Sequence, residues 1–163
     1  MSSGLHSIEN EKVIFYVDTE ECGRKYMSAS RSSYKGSNYK IVFVDAMKFL
    51  ALWKNDPGKQ EYQLSSGDKS AWESDYRYPA AEYGFSHGLS NPVPLAFPHC
   101  QESEYGPYAS FSNGITRTIW LLSKGAKSFP LETDNESAQL FVKYAGVGKG
   151  IFSAEEYRNL TKL

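Results

Sequence analysis

Residues 111–131, FSNGITRTIWLLSKGAKSFPL, decide the reading of this chain. They pass from a strand end through a glycine turn into one amphipathic helix, then out into a second strand. Asn113-Gly114 supplies a turn that tolerates positive φ, so a helix begins at Ile115 or Thr116. Ile115, Ile119 and Leu122 share a stripe at helical spacing, and Trp120 and Leu121 widen it. Lys124 falls in the last turn, where a cation meets the negative end of the helix dipole, and Gly125 stands where a left-handed cap belongs. A tight turn feeding a helix N-terminus gathers free backbone N–H groups. With the Arg117 guanidinium one turn in, that place can hold a phosphate or a carboxylate.

Outward from this segment the chain alternates strand and helix. Residues 12–17, KVIFYV, read as a strand ended by the acidic 18–21 and Gly23. Residues 24–37 are Ser-rich and irregular, with a hairpin expected around Lys35-Gly36. Residues 40–44, KIVFV, read as a strand buried on both faces. Asp45 then caps a helix over 46–54, stopped by Asn55-Asp56-Pro57-Gly58. The stretch 58–88 is polar and aromatic and gives no clear period, apart from a short helix around 68–74. Residues 91–96, NPVPLA, predict a short edge strand, because two prolines cannot donate to a ladder. After the central segment, a helix over 135–144 is capped near Thr133-Asp134 and ends at Gly146. Ser153 and Glu156 form a capping box for a last helix over 154–160. Residues 1–10, small and polar, predict a flexible leader, and 11–163 a single domain. The fold class is α+β, one compact domain with a mixed sheet.

The ordered set of NPVPLA at 91–96, NGITRT at 113–118, a Gly-ended helix and FPLE at 129–132 resembles the ParB/sulfiredoxin fold. More specifically, it is similar to the plasmid fertility-inhibition factors of that fold, over residues 41–146. The resemblance implies a small cytoplasmic protein, carried by a plasmid, that blocks conjugative transfer of another plasmid. The implied partner is a protein component of a conjugative type IV secretion system, such as the coupling ATPase. Other members of the wider fold bind nucleotides and DNA or cut DNA. Sulfiredoxins carry Cys where this chain has Ile115, so thiol repair is not expected. Relatives with Gly-Arg-His-Arg carry Arg and His where Ile115 and Thr116 stand, so the motif lacks an imidazole to move protons.

The bulk numbers exclude several classes. A chain of 163 residues with 40% hydrophobic and 23% charged residues folds around a real core. A net charge of −1 argues against a general nucleic-acid coat, so DNA binding would need a local patch. Two cysteines make no disulfide framework, no apolar run reaches the roughly 20 residues of a membrane span, and no secretory signal opens the chain. These features fit a cytoplasmic protein. The 12 Tyr, 9 Phe and 3 Trp serve either a contact surface or a small core padded with rings.

Arg117 leads the site residues, as an anion clamp or as a tie between helix and loop. Asn113, Gly114, Thr116 and Thr118 would line its pocket, or simply cap the helix. His87, with Glu82 nearby, is either the acid–base group that the motif lacks or an ordinary loop residue. His99-Cys100 hints at metal or thiol chemistry, though no CxxC or HxxxH spacing supports zinc. Arg24, Lys25, Arg31, Lys35 and Lys40, interleaved with Tyr26, Tyr34 and Tyr39, suit single-stranded nucleic acid. The alternative is a solvated hairpin offset by Asp18, Glu20 and Glu21. Glu132, Asp134 and Glu136 either hold Mg²⁺ or stabilise the helix dipole. Three functions compete: an inhibitor of conjugation docking on the secretion machinery, a nucleotide-dependent DNase or NTPase using ATP with Mg²⁺, and a DNA-binding regulator.

Overall fold

The computed structural model describes residues 2–29 and 38–160. Three strands open the chain as an antiparallel meander: β1 (Ser3–Glu9), β2 (Lys12–Thr19) and β3 (Gly23–Ser28). Along β2, Val13, Phe15 and Val17 point inward and are fully buried, the period-2 signature of a half-buried strand. The flexible leader expected over residues 1–10 is corrected here. Ser3 pairs with Val17 and Glu9 with Lys12, and Ser3 Oγ meets Ser128 Oγ at 2.6 Å. Strand pairing uses main-chain groups, so small polar residues suffice where a neighbour offers an open edge. β3 likewise occupies part of the stretch expected to be irregular, while the Lys35-Gly36 hairpin lies outside the described residues.

β4 (Lys40–Asp45) leads into α1 (Ala46–Lys54), and Asp45 accepts from the Lys48 amide at 2.9 Å as the expected N-cap. The stretch with no readable period folds as three short helices, α2 (Tyr62–Ser65), α3 (Lys69–Glu73) and α4 (Tyr78–Phe85). Each is anchored by isolated side chains, Leu64, Trp72, Tyr78 and Phe85, and helices this short show no repeat. β5 (Val93–Pro94) is the expected edge strand, parallel to β3 at the end of the first sheet.

β6 (Phe97–Ser103) and β7 (Gly106–Asn113) form a hairpin that hands the chain to α5 (Ile115–Ser123). β8 (Ser128–Thr133), α6 (Asn135–Ala145), β9 (Gly146–Phe152) and α7 (Ala154–Leu160) complete the order. β4 lies between β8 and β9, antiparallel to both, which explains why Ile41, Val42, Phe43 and Val44 are all buried. Pro130 fits inside β8 for a simple reason. The Glu132 amide, on the same edge, donates to Ala96 rather than to β4, so the missing N–H of Pro130 falls outside that ladder. Phe49 of α1 touches Phe111, Phe129 and Phe141, joining helix, hairpin and sheet in one core. Gly146 ends α6 as expected and also starts β9, a strand the sequence reading did not include. The capping box holds: Ser153 N donates to Glu156 and Glu156 N to Ser153 Oγ, both at 3.1 Å. Among the described residues no helix is long and apolar enough to cross a membrane.

Candidate functional site

The site is built where the β6–β7 hairpin meets α5. Phe97 pairs with Asn113 but Pro98 with Phe111, so Ser112 is the extra residue of a bulge at the end of β7. A bulge bends its strand and re-aims the side chain it carries. Gln60 fixes this point, accepting from the Phe111 amide at 2.6 Å and donating to the Phe111 carbonyl at 2.9 Å. Gly114 then turns at φ +105°, and a Cβ there would stand 2.4 Å from Ala96 Cβ and 2.7 Å from Ala96 Cα. Only glycine lets α5 start this close to the NPVPLA segment. Buried from Thr118 through Ser123, α5 is enclosed on more than the one face its stripe predicted.

Two adjoining cavities flank the start of α5. One, of about 250 Å³, is lined by Gln60, Arg77, Ser112, Asn113, Thr116 and Arg117, among others. The second, of about 280 Å³, lies against Arg77, Ala81, Gly84, Pro92, Pro94 and Arg117. Arg117, Thr116 and Arg77 border both. The two motifs quoted from the sequence are therefore neighbours in space, with the NGITR turn facing one cavity and NPVP the other. Arg117 Nη1 donates to the carbonyls of Pro94 at 3.0 Å and Leu95 at 3.2 Å, so the guanidinium also ties helix to edge strand. Among the described residues no side chain caps α5, and Gly114, Ile115 and Thr116 at its start line the first cavity.

Thr118 does not line this pocket. It is 1% exposed and its hydroxyl donates to the Gly114 carbonyl at 2.8 Å, one turn back along its own helix. His87 is not brought to the cavities either: Nδ1 lies 2.9 Å from the Tyr83 carbonyl, and its ring packs on the Tyr83 ring. Glu82 pairs with Lys124 at 3.3 Å. Arg77, which no sequence pattern marked, enters because a bidentate pair with Asp75, at 3.0 and 3.1 Å, holds its fork in place. That hydrogen bonding holds the Asp75 carboxyl below its ordinary value.

The described members of the basic run each have a separate setting. Arg24 is held by Asp18 at 2.8 Å and lies 4.0 Å from the Tyr16 ring centre. Lys25 is half-buried in β3, Lys40 reaches Glu156 at 3.8 Å, and Arg31, Tyr34 and Lys35 lie outside the described residues. Glu132 is buried, Asp134 caps α6 through the Ser137 amide at 2.7 Å, and Glu136 is exposed. Among the described residues no three His, Cys, Asp or Glu side chains converge into a metal-holding group, so these carboxylates do not make the Mg²⁺ site considered above. Arg77 and Arg117 set two guanidinium groups at the same end of α5, beside the Asn113-Gly114 turn.

His99 and Cys100 point to opposite sides of β6. Cys100 is buried, and desolvation with the nearby Glu102 charge pushes its thiol up to about 12, which leaves it unreactive. His99 instead lies 2.6 Å from Ser112 Oγ and 2.9 Å from Asp134 Oδ2. Neither Ser112 nor this linkage was visible in the sequence, since its members are 13 and 35 positions apart from His99.

The architecture, an α+β domain whose glycine turn and buried helix are packed on a proline-rich edge strand, is a known one. In its gold(I) cyanide derivative, the crystal structure of the oncogenic suppression activity protein, a plasmid fertility inhibition factor, is similar with a TM-score of 0.85. That similarity covers 99% of this chain and 84% of the other at 21% identity. The family model of the plasmid fertility inhibition factors matches residues 41–146, which contain both cavities, and the chain belongs to this family. Protein osa of Shigella flexneri is 31% identical over 128 residues, 77% of this chain, and the match spans 65% of that protein's length.

Proposed function

We propose that this protein inhibits conjugative plasmid transfer from inside the donor cell, by docking on a component of the type IV secretion machinery such as its coupling ATPase. The observation that carries the reading is the family match over 41–146, which takes in the whole site from β4 to the end of α6. Exposed side chains supply a contact surface: Tyr76 is 86% exposed and Tyr83 70%, next in sequence to the cavity-lining Arg77 and Gly84, and an aromatic ring with a hydroxyl suits a half-wet interface. The NPVPLA, NGITRT and FPLE motifs support assigning its fold to the ParB/sulfiredoxin class. Donor cells expressing the chain should transfer a susceptible plasmid at least about tenfold less often than cells with an empty vector. Transfer at the normal frequency defeats the reading. Tyr76→Ala with Tyr83→Ala should restore transfer while the protein stays folded.

A second reading has one observation in its favour. The α5 turn, with Arg77 and Arg117 beside it, offers donors for a nucleotide phosphate. Titration with ATP should then show saturable binding that Arg77→Ala weakens. Equal affinity in that variant removes the phosphate role.

A further inference from the structure

Three side chains from different elements make an unbroken hydrogen-bonded path that begins at Ser112, on the wall of the first cavity. Ser112 Oγ of the β7 bulge lies 2.6 Å from His99 Nε2, and His99 Nδ1 lies 2.9 Å from Asp134 Oδ2 at the start of α6. Each ring nitrogen serves one partner. In this order, a hydroxyl can pass its proton to an imidazole whose tautomer a carboxylate holds.

The Asp134 carboxylate orients the path. Burial works to raise the Asp134 carboxyl, but bonds from the Ser137 amide, His99 and the Ser137 hydroxyl outweigh it and hold the group below its ordinary value. An ionised carboxylate only accepts, so His99 Nδ1 donates to it, and in the neutral imidazole Nε2 is then left to accept from Ser112. The donor and acceptor directions therefore run from Ser112 toward Asp134.

The surroundings are those a nucleophile needs. Ser112 is exposed and lines the cavity, presented there by the bulge. Beyond the Asn113-Gly114 turn α5 starts, with no side-chain cap among the described residues, and Ile115 and Thr116, which carry first-turn amides, line the same cavity. Such amides stabilise an oxygen that gains negative charge during attack on a carbonyl. On the cavity wall Arg117, with Arg77 whose charge Asp75 and Glu61 share at 3.0 and 3.7 Å, favours a substrate with an acidic group. Ring packing of Phe97 on His99, at 5.3 Å between centres, fixes the imidazole from the side.

We propose that Ser112 is a nucleophile, with His99 as its general base and Asp134 as the positioning residue, and that the site hydrolyses carboxylic esters bearing an acidic group. Ser112 Oγ bonds to the ester carbonyl carbon and its proton goes to His99 Nε2. The carbon–alkoxy bond breaks, and that proton leaves with the alcohol. Water then attacks the acyl-serine and gives a proton to His99. The acid departs, and Ser112 Oγ recovers the proton. Ester and water become acid and alcohol, with no other reactant.

The test uses the full purified chain with a fluorophosphonate probe and with the mono-4-nitrophenyl ester of succinic acid. Mass spectrometry should place the phosphonyl adduct on Ser112, and Ser112→Ala should lose both adduct and ester hydrolysis. Asp134→Asn keeps an N-cap for α6, so the helix should survive by circular dichroism while labelling slows by about 10²–10⁴-fold. His99→Gln should do the same. The proposal is overturned if no adduct forms on Ser112, or if folded Asp134→Asn and His99→Gln label at the native rate. Hydrolysis of neutral 4-nitrophenyl acetate as fast as the succinate overturns the acidic-substrate assignment. All readouts come from isolated protein, so they stand apart from any effect on plasmid transfer.

Discussion

At Gly114, conformation and space make the same demand. The residue sits at φ +105°, and a methyl group would enter the volume of Ala96. Gly114→Ala combines left-handed strain with a backbone clash, and should cost about 2–4 kcal/mol in chemical denaturation. Arg117 acts through two carbonyls as well as through the cavity. Arg117→Ala should lower stability by about 1–3 kcal/mol, the value of hydrogen bonds from a charged donor. Asp75 gives a pH signature. Its side chain is 7% exposed, and hydrogen bonding to Arg77 depresses its folded pKa below the unfolded value. The resulting stabilisation is fully present above the unfolded carboxylate range, near about 3.9, and is lost as pH falls through the lower folded value. Denaturation midpoints of Asp75→Asn should therefore fall less steeply with acidification than those of the native chain.

Elements here owe their positions to a few large contacts. Phe85 of α4 stacks on Trp120 of α5 with ring centres 4.3 Å apart and planes 13° from parallel. Phe85→Ala should cost about 3–5 kcal/mol and loosen α4 from the site. Hydrogen exchange would show it as faster exchange of the α4 amides. At the other end of the chain α7 depends on its reciprocal cap. Ser153→Ala should cost about 1 kcal/mol and fray α7 without disturbing α5. An effect that spread to the cavities would mean that α7 and the site are coupled through the sheet.

Taken whole, the molecule places its family-matching residues around one edge strand and one helix start. The cavities, the exposed Tyr76 and Tyr83 and the Ser112–His99–Asp134 chain all lie within residues 41–146. Conjugation assays on chains altered at Tyr76 and Tyr83 and at Ser112 should separate docking from chemistry. If the tyrosine changes alone abolish inhibition, surface contact is the function and hydrolysis is a separate property of the site.

The amino-acid order by itself determined the elements that carry a period or a cap: β2, β4, α1, α3, α5, β8, α6 and α7, and the edge strand held to two residues by prolines. It also gave the family through motifs set close together in the chain, and it placed Asn113, Gly114, Thr116 and Arg117 at one turn. Tertiary structure decided the rest because those features depend on partners far away in sequence. β1 exists because β2 offers an edge, and α2 and α4 exist because single side chains, Leu64, Tyr78 and Phe85, find the core. Thr118 turned inward once α5 was enclosed, and Arg24 turned to Asp18 across a strand pair. Arg77 reached the cavity, and His99 met Ser112 and Asp134, only when a hairpin and a helix start were folded together. Local patterns record what a residue does to its own backbone, whereas a site is a meeting of side chains from several elements.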